Sequence, residues 1–130
     1  MRHTIKTLAR ASVTALLAVT LLAPAALAKP ADVIRTGDCA GTSDWKLALG
    51  RDNGQIELEL EVDQNVVGDV WRVRIRHNGV LEFKLRRTTQ APSGSFTVRR
   101  LVADEAGGDR IRARAVNIAT GEVCVARARI

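Results

Sequence analysis

From residue 45 to the end of the chain, apolar and polar side chains alternate with a period of two. Turn-forming residues interrupt the alternation about every ten residues. Successive side chains of a strand point to opposite faces, so such runs read as half-buried strands with one face in a core. Trp45, Leu47 and Leu49 alternate with Lys46 and Ala48; Ile56, Leu58, Leu60 and Val62 alternate with Glu57, Glu59 and Glu61. Trp71, Val73 and Ile75 alternate with Arg72, Arg74 and Arg76, and Leu81, Phe83 and Leu85 with Glu82, Lys84 and Arg86. Phe96 and Val98 point inward next, but Arg100 then falls on the core parity. That predicts a bulge, or an early strand end, near Arg99-Arg100. Ile111, Ala113 and Ala115 alternate with Arg110, Arg112 and Arg114. Last, Cys124, Ala126, Ala128 and Ile130 face inward while Arg127 and Arg129 face out.

The interruptions carry turn chemistry. Asn53-Gly54 and Asn78-Gly79 are hairpin signals, because a type I′ turn needs positive φ at both central residues. Ala91-Pro92-Ser93-Gly94 and Thr120-Gly121 mark further turns. The pattern predicts an all-β fold: a seven-stranded antiparallel sandwich over residues 43–130, with no helix. Residues 29–42 lack periodicity and read as a lead-in segment held by Cys39.

Residues 1–28 have a different plan. Arg2, Lys6 and Arg10 form a positive start, residues 11–22 an apolar stretch, and Ala26-Leu27-Ala28 a cleavage site. This is a secretory signal peptide whose helix is not part of the fold, with cleavage expected after Ala28. A retained anchor is the alternative, but Ser12, Thr14, Thr20 and Pro24 interrupt an apolar run that would need about 20 residues to span a bilayer. The protein is therefore expected to be secreted, with no transmembrane segment in the mature chain. Three of the 20 lysines and arginines leave with the leader, so 17 remain against 14 acidic residues, a net of +3. Any strong electrostatic function must come from the arrangement of charge.

Two cysteines, Cys39 and Cys124, travel to an oxidising compartment, where one disulfide tying the start of the domain to its last strand is the simplest reading. Paired thiols serve neither as nucleophiles nor as metal ligands. A lipid-bearing cysteine sits directly behind the apolar stretch, whereas Thr36-Gly37-Asp38 precedes Cys39.

The stretch Asp109-Arg110-Ile111-Arg112-Ala113-Arg114-Ala115-Val116-Asn117, followed by Gly121, resembles the F strand and F–G loop of fibronectin type III and immunoglobulin-like modules. The resemblance implies a two-sheet sandwich, and Trp71 on the third strand occupies the place of the immunoglobulin core tryptophan. The chain has no tyrosine, so the tyrosine corner of that superfamily is missing, and its cysteines do not match the B–F bridge. It is also similar to small exported bacterial proteins of uncharacterised function with this cysteine arrangement, which implies a fold and no activity.

The inventory for catalysis is short. His77 is the single histidine after the leader and reads as a solvated turn residue beside Asn78-Gly79. Ser43, Ser93 and Ser95 lie in loops without a nucleophile motif. Asp104, Glu105 and Asp109 around Gly107-Gly108 read as an acidic solvated corner, with a weak calcium site as the alternative. Glu57, Glu59 and Glu61 stand about 7 Å apart on a strand face, a spacing used by carboxylate pairs, but a flat face offers no cleft. We expect no enzyme, no metal and no cofactor.

Charge arrangement is the remaining signal, and it depends on strand order. In a fibronectin-like order, strands three, four, six and seven share a sheet. Its outer face would then carry Arg72, Arg74, Arg76, Lys84, Arg86, Arg110, Arg112, Arg114, Arg127 and Arg129 against Glu82 alone. That basic face would suit an anionic cell-surface polymer. In a simple meander, the Glu57/Glu59/Glu61 row would instead oppose the Arg72/Arg74/Arg76 row and neutralise it. Specific nucleic-acid binding is not expected, because Trp45, Trp71, Phe83 and Phe96 all sit on the core parity and none is free to stack on bases. The other function class is a secreted inhibitor or recognition domain, a monomer presenting residues 90–95 or 103–109 to another extracellular protein.

Overall fold

The computed structural model describes residues 29–130. The expected signal peptide lies outside the described residues. Eight strands follow one another: β1 (Val33–Asp38), β2 (Asp44–Asp52), β3 (Gln55–Asp63), β4 (Val70–His77), β5 (Val80–Thr88), β6 (Ser95–Ala103), β7 (Arg110–Asn117) and β8 (Val123–Arg129). They form two antiparallel four-stranded sheets, ordered β1-β2-β3-β6 and β5-β4-β7-β8. No helix among the described residues is long and apolar enough to cross a membrane.

Both Asn-Gly turns adopt the conformation their chemistry favours. Asn53 and Gly54 have φ of +50° and +76° and join β2 to β3; Asn78 and Gly79 have φ of +48° and +87° and join β4 to β5. The alternation then places one face of each sheet in a shared core. Leu47, Leu49, Leu58, Leu60 and Val98 come from the first sheet, and Trp71, Val73, Ile75, Ile111, Ala113, Ala115 and Ala126 from the second; all are buried. The Trp71 ring tilts against Phe96 at 5.9 Å, and its indole N–H donates to Gln64 Oε1 at 3.0 Å, so the one polar atom of this large side chain is satisfied.

The strand count is eight rather than seven because the supposed lead-in contains β1. Its residues pair in register with β2, from Val33 opposite Leu49 to Asp38 opposite Asp44. Arg35 and Gly37 fall on the inward parity of this edge strand, which hides the alternation. Gly37 is required by packing: a Cβ there would lie 2.7 Å from the Trp45 ring. Beyond β1, Cys39 is disulfide-bonded to Cys124 on β8, which stitches the two sheets together along one side. The Glu122 carboxylate fastens the same corner, accepting from Gly41 N at 3.0 Å, Ser43 N at 2.9 Å and Ser43 Oγ at 2.8 Å.

Two expected details are corrected. No bulge occurs at Arg99-Arg100: β6 pairs without interruption with β3. Arg100 tolerates its inward parity because β6 is an edge strand; the guanidinium leaves the core sideways and lies 5.6 Å from the centre of the Phe83 ring on β5. The irregularity lies instead on β5. Ile75 opposes Phe83 but Arg76 opposes Leu81, so Glu82 is the extra residue. The slip moves Leu81 off the expected core parity, and it is 41% exposed.

Candidate functional site

The order β5-β4-β7-β8 brings the four arginine-rich strands into one sheet. Arg72 stands opposite Arg86, and Arg74 opposite Lys84. On the other side of β4, Arg74 opposes Arg114 and Arg76 opposes Arg112. Arg112 continues to Arg127, and Arg110 to Arg129. Lys84–Arg74–Arg114 and Arg76–Arg112–Arg127 are therefore continuous rows of positive charge across three strands each. All ten side chains lie on the solvent face, Arg76 half-buried and the others exposed.

Acidic neighbours do not neutralise this face. Among the described residues the acid–base side-chain contacts within 4 Å are Lys46–Glu61, Arg51–Asp104, His77–Asp109 and Arg99–Glu59, and none involves the ten. The Glu57/Glu59/Glu61 row faces outward on β3, between β2 and β6, on the opposite sheet. There Glu61 accepts a hydrogen bond from Lys46 at 2.8 Å, and that bond raises the Lys46 pKa above its ordinary value. Within the four basic strands Glu82 is the single acid, displaced at the bulge.

One end of the face is hollowed. A concavity of about 600 Å³ is lined by Arg76, Arg110, Arg112, Arg127 and Arg129, by Gly79, Ile111 and Ala128, and by Arg35 of β1. Arg35 was invisible as a site residue because its strand was invisible. It belongs to the other sheet and reaches the hollow because β1 runs beside β8.

His77 is not a solvated turn residue. It is 3% exposed, and its Nε2 bonds the Asp109 carboxylate, which is itself fully buried. Asn78 Nδ2 donates to Asp109 Oδ1 at 3.1 Å and the Glu105 amide donates to Oδ2 at 3.2 Å. Burial alone would raise the Asp109 pKa, but the bonds from His77, Asn78 and Glu105 outweigh it and hold the carboxyl below its ordinary value. Asn78 Oδ1 also accepts from the Arg110 amide at 2.9 Å, and Asp109 exchanges backbone hydrogen bonds with Ile130. The cluster thus anchors the backbone of Arg110, a residue of the hollow's wall. The parity of β4 carried a signal for it, since His77 follows Trp71, Val73 and Ile75 on the core side.

Among the described residues no serine joins this dyad: Ser43 bonds Glu122, and Ser93 bonds Ser95 at 2.7 Å. Asp104 and Asp109 are turned to Arg51 and His77, and the described residues contain no acidic, histidine or cysteine group placed to hold a metal ion. At the other end of the sandwich, Asp69 accepts from Asn117 at 2.9 Å and from Gln64, which lowers its pKa. The segment 90–95 is closed on itself, with Gly94 N donating to Gln90 O at 2.8 Å. A Cβ at Gly94 would lie 2.4 Å from Val66 N, so this turn is packed down against the β3–β4 connection.

No family model, curated protein or solved structure matches this chain.

Proposed function

We propose that this chain is a secreted, non-catalytic binding module of the immunoglobulin or fibronectin type III kind, which holds an anionic surface polymer against the outer face of β5-β4-β7-β8. The observation that carries the reading is the register of ten basic side chains on one sheet, none of them ion-paired among the described residues. Like charges directly opposite one another in a sheet are destabilising, and a bound polyanion removes that penalty while releasing its own counter-ions. Arginine is the suitable cation, since its planar fork accepts bidentate pairing with phosphate and carboxylate oxygens. The outer face carries no aromatic side chain, so bases have nothing to stack on and recognition is of charge rather than sequence. The disulfide fits an oxidising, extracellular setting.

Charge reversal tests this directly. The purified protein is expected to be retained on an immobilised phosphodiester or carboxylate polymer at about 0.15 M ionic strength, where charges beyond roughly 8 Å are screened. The variant Arg72→Glu/Arg74→Glu/Arg112→Glu/Arg114→Glu should elute unretained. Equal retention of this variant, with an unchanged circular dichroism spectrum, would falsify the proposal.

A further inference from the structure

The basic face is not uniform. Around Arg72, Arg86 and Lys84 it is an open array, whereas at the Asn78-Gly79 end it is hollowed and six arginines line it: Arg35, Arg76, Arg110, Arg112, Arg127 and Arg129. We propose that this hollow is a discrete site for one compact, multiply charged phosphate group, such as a phosphomonoester or polyphosphate end. The proposal rests on the anion-binding reading above and adds to it a specific place and ligand chemistry.

Four observations lead there. The concavity is an open cleft whose volume, about 600 Å³, falls within the roughly 300–1,000 Å³ of small-molecule clefts. Among the described residues no carboxylate lines the hollow, so the arginines there have no counter-charge in its wall. The guanidinium donors are almost unspent within the protein: Arg76 donates to Gly79 O at a long 3.4 Å, and Arg35 to Ile34 O at 2.9 Å. Finally, the arginines come from four strands and from both sheets. Arg76, Arg112 and Arg127 form a row across β4, β7 and β8, with about 4.8 Å between strands. Arg110 and Arg129 form a second row two residues along, about 7 Å away. Arg35 approaches from a strand of the opposite sheet.

That gathering of arginines from four strands selects the ligand class. A carboxylate is planar, carries one charge and accepts a bidentate fork in one plane. A phosphate presents oxygens in three dimensions, and a phosphate end carries more than one charge within a few bond lengths. Several forks from three strands and from Arg35 can therefore engage a single phosphate group, whereas carboxylates would have to arrive as several separate groups. The His77–Asp109–Asn78 cluster anchors the Arg110 backbone beside the site, so this part of the wall is fixed before binding. Preformed walls leave little ordering to be done on binding.

Tripolyphosphate and citrate serve as probes in calorimetric titrations of the purified protein at about 0.15 M salt. The expected result is one tripolyphosphate per chain, bound about tenfold or more tighter than citrate. Arg35→Gln/Arg127→Gln should weaken tripolyphosphate about tenfold or more, while Arg72→Gln/Arg86→Gln, at the far end of the same sheet, should stay within about twofold. Arg35 is the diagnostic member, since a polymer lying along the sheet has no need of it. Equal affinity for the two probes, several equivalents per chain, or equal losses for both variants would overturn the site. Polymer retention, run in parallel, separates the two readings. Retention without tripolyphosphate binding removes the hollow and leaves the face, and absence of both removes both.

Discussion

Arg99 on β6 donates to Glu59 on β3 at 2.6 Å, so part of the acidic row of the chain is satisfied within its own sheet. Lys46 engages Glu61 in the same way from β2. The glutamates that could have neutralised the arginines of β4 are instead on the opposite face of the molecule. This separation, and not the modest net charge, creates the basic face.

The Glu59–Arg99 pair is itself a weak bond. Arg99 is 69% exposed on its side chain, and exposed pairs are worth about 0–1 kcal/mol. Arg99→Gln should therefore change stability in denaturant titrations by less than about 1 kcal/mol. It should also leave polyanion retention unchanged, although it removes an arginine, because that arginine faces the other way.

Rows of like charge carry a cost that salt can lift. With Arg74 opposite both Lys84 and Arg114, the melting temperature should rise as sodium chloride increases from about 0.01 to 0.2 M, the range over which the Debye length falls from about 30 Å to below about 8 Å. Arg114→Thr should stabilise the protein at low salt by roughly 0.2–1 kcal/mol, the range for cross-strand pairs, and flatten the salt dependence. A melting temperature that falls with salt would show instead that attractive pairs dominate.

Asp109 and Asp69 are both held below the ordinary aspartate value of 3.8, Asp109 by His77, Asn78 and Glu105 against the opposing effect of burial, Asp69 by Asn117 and Gln64. A carboxyl whose pKa is depressed on folding contributes stability that is present above 3.8 and lost as pH falls through the depressed folded value. Stability should therefore decline as pH drops below about 4, with the slope set by these two groups. Asp109→Asn should lower stability at pH 7 and reduce that slope, read from denaturant titrations at neutral and acidic pH.

The disulfide closes a long loop, with the two cysteines 85 residues apart. On the chain-entropy model such a crosslink is worth about 4–5 kcal/mol. Cys39→Ala/Cys124→Ala should lose stability on that scale. Because the bond joins the β1 end of one sheet to β8 of the other, hydrogen exchange should speed most in β1 and β8.

Much of this architecture is legible in local pattern. Arg72, Arg74 and Arg76 alternate with Trp71, Val73 and Ile75 so regularly that the face of each is determined before any strand is paired. The Asn53-Gly54 and Asn78-Gly79 turns are determined by backbone chemistry alone. What local pattern lacks is partner choice. Nothing near Val70–His77 says whether β3 or β7 will lie beside it, and the existence of the basic face depends on that choice. Edge strands are hard to read for a second reason. Arg35 in β1 and Arg100 in β6 sit on inward parity because an edge side chain can escape sideways, a freedom that central strands do not have. Leu81 is misplaced by a single extra residue, Glu82, which reverses the parity. His77 could be read as a turn residue because its partner, Asp109, is 32 residues distant. Its position on the core side of β4 was the available clue.

The most direct measurement is a nuclear magnetic resonance titration of the purified protein with a phosphodiester polymer at about 0.15 M ionic strength. Arginine side-chain and backbone resonances of β4, β5, β7 and β8 should shift, most strongly around Arg112 and Arg127, while those of β2, β3 and β6 stay in place. Shifts confined to the loops at 90–95 or 103–109, or spread equally over both sheets, would contradict a binding role for the basic face.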